Sequence, residues 1–278
     1  MFQKRKIAIA TMHQKEQVIQ PILEANLGCI CFVPSNFDTD NFGTFSGDVN
    51  REKDPISTAR KKCELATDLT NVDIAIASEG SFGPHPSYFF SNADDEFLVF
   101  IDKKNELEIV VRELSLETNF NADYVTDEKE LMAFALKVKF PSHGLILRKS
   151  SDEPIDIFKG ITDWNELILK FNLLKEKYEK VYVETDMRAM YNPTRMEVIR
   201  KLTLKLVDKI NSICPNCSTP GFGVKEVKEG LPCSYCKFPT RSIKSHIYSC
   251  EKCDFTEEKN FPNGKQFEDP MYCDICNP

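Results

Sequence analysis

The chain has 278 residues, 41% of them hydrophobic, and a formal net charge of -7. That length predicts about two domains with a sizeable core. No apolar run approaches the roughly 20 residues of a membrane span, and the acidic balance argues against general binding to a nucleic-acid backbone. Met1 to Lys6 leads into a short strand without the apolar core and cleavage site of a signal peptide, so a cytoplasmic protein is expected.

Taken in order, Ile7 to Ala10 reads as a strand, Thr11 to Lys15 as a turn, and the stretch to Leu27 as a helix that Pro21 kinks or delays and Gly28 closes. Cys29 to Val33 is a second strand. Cys29 and Cys31 share a face there and read as small buried residues. A polar loop, Ser35 to Asp54, contains Asn41 to Gly47; a loop of that length is often functional. Pro55 to Thr67 is helical, with Ala59, Cys63 and Ala66 on one face.

The chain is then organised around Val72 to Pro86. Val72 to Ala77 reads as a buried strand, and Ser78-Glu79-Gly80-Ser81-Phe82-Gly83-Pro84-His85-Pro86 as the turn that ends it. Ligands of open α/β sheets lie beyond the carboxyl ends of strands, which makes Glu79 the first candidate for chemistry. A solvated Glu in a tight turn is the plain alternative. Beyond it, Glu96 to Ile101 and Leu107 to Leu116 form a hairpin. Asp127 to Val138 is a helix capped by Thr126, and Leu145 to Leu147 a strand. Asp163 to Glu179 is a helix, Val181 to Glu184 a strand, and Asn192-Pro193-Thr194 opens a long helix to about Ile213. The fold class is a mixed-sheet α/β domain, 1–213, followed by a small double zinc ribbon, 214–278.

Eight cysteines fall in four C-x-x-C pairs: Cys214/Cys217, Cys233/Cys236, Cys250/Cys253 and Cys273/Cys276. Each pair presents two thiolates to one side of a cation, and two pairs complete a tetrahedron, so the module predicts two closed, structural zinc sites. Sequential pairing of neighbouring C-x-x-C turns is preferred over interleaved pairing. His246 is a surface or packing residue, and Lys237, Arg241 and Lys244 are a solvated face.

The ends of the segments resemble those of the inosine/xanthosine triphosphatase and Maf-like pyrophosphatase superfamily. The matching stretches are Ile7 to Lys15, Asp54 to Lys62 with its Ala59-Arg60 pair, Ala77 to Gly80, and Arg188 to Arg195. The superfamily's usual Asn in the first turn is Met12 here, and its acidic pair after the central strand is reduced to Glu79. The full chain looks closer still to an uncharacterised bacterial family, known only as a domain of unknown function. That family pairs the Ser78 to Pro86 segment with a zinc module carrying Gly230-Leu231-Pro232-Cys233.

The anion contacts expected are Lys15, Arg60, Arg188 and Arg195, with Gly80, Ser81 and Gly83 offering backbone approach; Lys61 and Lys62 read as solvated. Glu79, Asp94, Asp95, Glu96 and Asp186 are the candidate metal carboxylates; Glu79 and Asp186 are the expected catalytic pair, holding Mg²⁺ and a water, while Asp94-Asp95-Glu96 reads as a solvated loop. His13, His85 and His143 read as turn-packing residues, and no serine-hydrolase elbow is present. The best-supported function is an Mg²⁺-dependent hydrolase of a nucleotide or related phosphate compound. The runner-up is a ligand-sensing or adaptor protein that docks through its zinc ribbons, and a nucleic-acid-associated zinc-ribbon factor is third.

Overall fold

A computed structural model describes residues 1–35, 37, 54–153 and 155–278. The expected loop containing Asn41 to Gly47 lies outside the described residues. The chain divides into two units, Met1–Val207 and Asp208–Pro278.

The first unit holds a five-stranded sheet in the order β2-β1-β3-β4-β5. Strands β1 (Lys6–Ile9), β2 (Ile30–Phe32) and β3 (Ile74–Pro84) are parallel, and β4 (Asn92–Asp102) and β5 (Leu107–Ser115) continue the sheet antiparallel. Helix α1 (Glu16–Leu27) joins β1 to β2 with Pro21 inside it. It ends at Gly28, whose φ of 63° lies in the left-handed region that glycine tolerates best.

Helix α2 (Pro55–Thr70) starts from Asp54, whose side chain accepts from the N–H groups of Ile56 and Ser57. Ala59, Cys63 and Ala66 form its buried stripe. They pack on Ala8 and Ala10 of the β1 segment and on Ala75 and Ala77 of β3. Small residues on both sides bring helix and sheet close, so one longer inward side chain can reach past the stripe to the strand end.

A second sheet is built from β6 (Ala122–Val125), β7 (Leu145–Arg148), β8 (Phe158–Ile161) and β9 (Val181–Thr185), in the order β6-β9-β7-β8, all antiparallel. Helices α3 (Glu128–Lys137) and α4 (Trp164–Lys175) share a core with it: Leu131, Phe134, Leu167 and Phe171 meet Leu145, Leu147, Val181 and Val183. Asp127 caps α3, one residue later than expected, while Thr126 donates back to Glu130. Helix α5 (Pro193–Asn211) follows β9. Short β6 and β8 were not anticipated, because four-residue segments carry too little alternation to stand out.

The central stretch differs most from the sequence reading. The segment Ser78 to Gly83 is no turn. It stays in register with β4, from Ser78 opposite Leu98 to Gly83 opposite Ala93. Asp94, Asp95 and Glu96 accordingly lie in a strand rather than a solvated loop. Strand formation continues because β4 offers a full ladder of backbone partners, which outweighs the weak strand preference of Gly and Asp.

The second unit is one three-stranded antiparallel sheet, β10 (Gly223–Glu229), β11 (Ile243–Ser249) and β12 (Thr256–Asn260), with C-x-x-C turns at the strand ends. Among the described residues, no helix is long and apolar enough to cross a membrane.

Candidate functional site

Alternation along β3 and β4 sorts the charged side chains. Ser78, Gly80 and Phe82 share a face with their partners Leu98, Glu96 and Asp94; Glu79 and Ser81 point to the other face. On the α2 side, Lys62 Nζ donates to Glu79 Oε1 at 2.5 Å, and both residues are buried. On the opposite side, Arg195 Nε donates to Glu96 Oε1 at 2.6 Å, with both side chains fully buried. Two ion pairs thus flank the backbone at Glu79-Gly80, one on each face of the same strand pair.

Lys15 stands between them. It opens α1 with no side-chain cap, and its Nζ donates to Ser78 O at 3.1 Å and Ser78 Oγ at 2.8 Å. Burial pushes this ammonium down to about 7, helped by Arg195 and Lys62 and opposed by Glu96 and Glu79. Asp94 moves the other way: burial raises it to about 8, and the neighbouring Glu96 carboxylate adds to the rise. The same buried setting thus displaces Lys15 and Asp94 in opposite directions from their ordinary values.

His13 reports the local field. It is pushed down to about 3, first by burial and then by the charges of Lys15, Arg195, Arg188 and Lys62. Four cations therefore act on one imidazole in the turn after β1. Met12 and Gln14, which flank it, line a cavity of about 570 Å³ with Thr11, Glu16, Val33, Pro34 and Phe37.

Arg195 is fixed from several directions. Its N–H donates to Asn192 Oδ1 and its Nη1 to Met187 O, and its guanidinium lies 5.1 Å from the centre of the Phe82 ring. Asn192 in turn donates to Asn119 Oδ1 at 2.8 Å. Gly80 makes room for this arrangement. A Cβ there would overlap Glu96 Oε1 and come within 2.9 Å of Arg195 Nη2.

The other expected residues are placed as follows. Asp186 is buried after β9, and both its oxygens are engaged: Oδ1 accepts from Arg188 N and Nε, and Oδ2 from Arg188 Nη2 and Gly160 N. It orients Arg188, whose guanidinium also lies over Tyr191. Ser81 is exposed on the far face, and Gly83 has open space where a side chain would be. Arg60 forks onto Glu108 of β5 with Nη2 at 2.6 Å from Oε1. The helical wheel explains why: Arg60 is one residue from Ala59, about 100° around the helix, whereas Lys62 lies three residues on and faces inward. Lys62, expected in solvent, is thus the α2 cation of this cluster. His85 accepts from the N–H groups of Ser87 and Tyr88, and His143 contacts Ser142 and Thr194, both as turn-packing residues.

In the second unit the eight cysteines form two clusters, Cys214/Cys217/Cys250/Cys253 and Cys233/Cys236/Cys273/Cys276. This is the interleaved pairing, and the preferred sequential pairing is overturned. The reason is strand length. A seven-residue strand such as β10 or β11 carries the chain about 23 Å, so successive C-x-x-C turns fall at opposite ends of the sheet and alternate turns meet. Sulfur separations of 3.7 and 3.6 Å in the first cluster, and 3.9 and 3.5 Å in the second, suit zinc. A tetrahedron with metal–sulfur bonds of about 2.3 Å has edges of about 3.8 Å. Disulfides, at about 2.05 Å, are far shorter. With four thiolates each, the clusters leave no open position and fit structural zinc.

The fold and these sites define an α/β protein with a buried charged cluster at its strand ends, joined to a two-cluster cysteine unit. The chain belongs to the family described as domain of unknown function DUF6671, which matches residues 62–278. The match begins at Lys62, takes in β3, β4, Arg195 and all eight paired cysteines, and leaves Lys15 outside it. No curated protein matches the chain.

Proposed function

We propose that the first unit binds a phosphate-bearing small molecule, such as a nucleotide, and hydrolyses it with Mg²⁺. The observation that carries this reading is the gathering of Lys15, Lys62 and Arg195 about Ser78 to Gly80, where Lys15 donates to Ser78, Lys62 pairs with Glu79 and Arg195 pairs with Glu96. Several Lys and Arg donors at one strand end suit an anion, and phosphate is the anion they match best. Lys15, Lys62 and Arg195 neutralise the phosphates. The cavity beside Met12 and Gln14 has the volume of a small-ligand site and takes the remainder of the molecule. The likeness of Ile7 to Lys15 and Ala77 to Gly80 to the inosine/xanthosine triphosphatase and Maf-like superfamily supports the same substrate class. In this reading Asp186 acts through Arg188, and Glu79 holds Lys62 in the cluster.

A second reading, docking through the cysteine unit, is supported by Tyr235, Met271, Tyr272 and Ile275, all exposed on or beside the turns of the second cluster. General nucleic-acid binding is not expected. Lys237 lies over Phe267 and Arg241 pairs with Asp274, so this face offers little free positive charge.

The test is a screen of nucleoside triphosphates and related phosphate compounds with Mg²⁺, run on the native chain and on Lys15→Met. Phosphate or pyrophosphate release that falls by about 10²-fold in the variant supports the hydrolase reading. If no compound is bound or turned over, the docking reading replaces it.

A further inference from the structure

Asp94 and Glu96 are two residues apart on β4, so their side chains leave the same face of the strand. Asp94 is 1% exposed and Glu96 0%. One of their four carboxylate oxygens, Glu96 Oε1, accepts from Arg195. The other three, both oxygens of Asp94 and Oε2 of Glu96, are buried with no N–H or O–H donor among the described residues, so the two carboxyl groups can bond to each other only by sharing a proton. The nearby ammonium of Lys15 donates to Ser78 O and Oγ instead. Native proteins seldom leave three adjacent buried acceptors without donors, and two carboxylates in a low-dielectric interior also repel each other. A cation between them removes both faults. An all-oxygen, anionic donor set suits a hard divalent ion and not a soft one. Asp186 is unsuited to that role, because its oxygens already accept from Arg188 and Gly160.

We propose that Asp94 and Glu96 are the protein ligands of one hard divalent cation, Mg²⁺ or Mn²⁺, held through the three oxygens that lack donors, with Arg195 fixing the fourth. As a part of catalysis this site rests on the hydrolase reading. As a cation site it is tested without any phosphate compound, so the two fail separately.

The experiment is titration of the zinc-loaded full chain with Mn²⁺, reading free Mn²⁺ by electron paramagnetic resonance. Filled four-thiolate clusters do not compete for this ion. One saturable site per chain is expected. Asp94→Asn and Glu96→Gln should each weaken it by at least about tenfold, the low end of what even outer-sphere partners of a metal contribute. Glu184→Gln, in the second sheet, should leave it unchanged. Absence of a saturable site in the native chain, or equal Mn²⁺ affinity in Asp94→Asn, would overturn the proposal and leave a shared proton as the occupant. A crystal of the unaltered chain soaked in Mn²⁺ gives a reading that does not depend on a variant folding. Anomalous density beside both carboxylates is expected, and density elsewhere in the first unit, or none, would also overturn it.

Discussion

The cysteine clusters and the charged cluster are both assembled by antiparallel strands, yet they differ in what holds them together. Each cysteine cluster is a set of like ligands whose mutual repulsion only a metal relieves, and its unit has little apolar core beyond Cys214, Phe222 and Cys250 with their neighbours. The charged cluster is a set of opposite charges that pair with one another, Lys62 with Glu79 and Arg195 with Glu96, inside a unit whose described residues include large apolar cores. The first kind of site is a condition for folding. The second lies in a unit with apolar cores of its own and carries the cost of buried charge.

The largest effect expected from this contrast follows metal removal. Chelation should unfold 208–278 while the far-ultraviolet signal of the first unit persists, since structural zinc contributes about 10–16 kcal/mol to such modules. Metal analysis of the native chain should give about two zincs, and Cys217→Ser together with Cys250→Ser should leave about one. Under the interleaved pairing both substitutions empty the same cluster; loss of both zincs would restore sequential pairing.

A smaller effect should separate two glycines of the same strand. Gly80→Ala forces a Cβ against the Glu96–Arg195 pair and should cost about 1–3 kcal/mol in denaturant unfolding. Gly83→Ala meets no described residue within 4 Å and should stay within about 0.5 kcal/mol. Equal costs would show that the ion pair does not occupy the space above Gly80.

Lys15 should show the cost of a buried charge through pH. Its folded value, about 7, lies below its unfolded value of 10.5. The unfolded chain therefore binds more protons between those limits, and the destabilisation is full below pH 7 and fades as pH rises toward 10.5. Lys15→Met should consequently be more stable than the native chain at pH 6, by on the order of 1 kcal/mol or more, and the gain should vanish near pH 10.5. A variant less stable at pH 6 would make Lys15 a structural residue.

The smallest effect belongs to Arg60→Ala. Its pair with Glu108 is exposed and should contribute no more than about 1 kcal/mol. Binding of phosphate compounds should be unchanged, contrary to the expectation from sequence.

What was legible in the sequence follows the same division. The C-x-x-C turns are local, so the eight ligands were readable one by one; their pairing depends on which strand ends meet, and it was misjudged because the intervening segments were treated as loops. In the first unit Lys15, Glu79 and Arg195 were found from their places at segment ends. Lys62 was hidden by a lysine pair that looked solvated, although its spacing from Ala59 and Ala66 put it on the buried face. Asp94 and Glu96 stand among the candidate carboxylates, but their polarity makes the stretch read as a solvated loop. Counting back by twos from Leu98 would have placed both on the buried face of β4. The ladder between β3 and β4, which turned a presumed loop into a site, joins residues too far apart to read from local pattern.

The most direct test of the account is calorimetric titration of the zinc-loaded chain with inorganic pyrophosphate, in parallel with Lys15→Met. The account predicts a single saturable site in the native chain and a loss of at least about 100-fold, roughly 2.7 kcal/mol, in the variant. No binding by the native chain at millimolar pyrophosphate, or equal binding by the two chains, would contradict it.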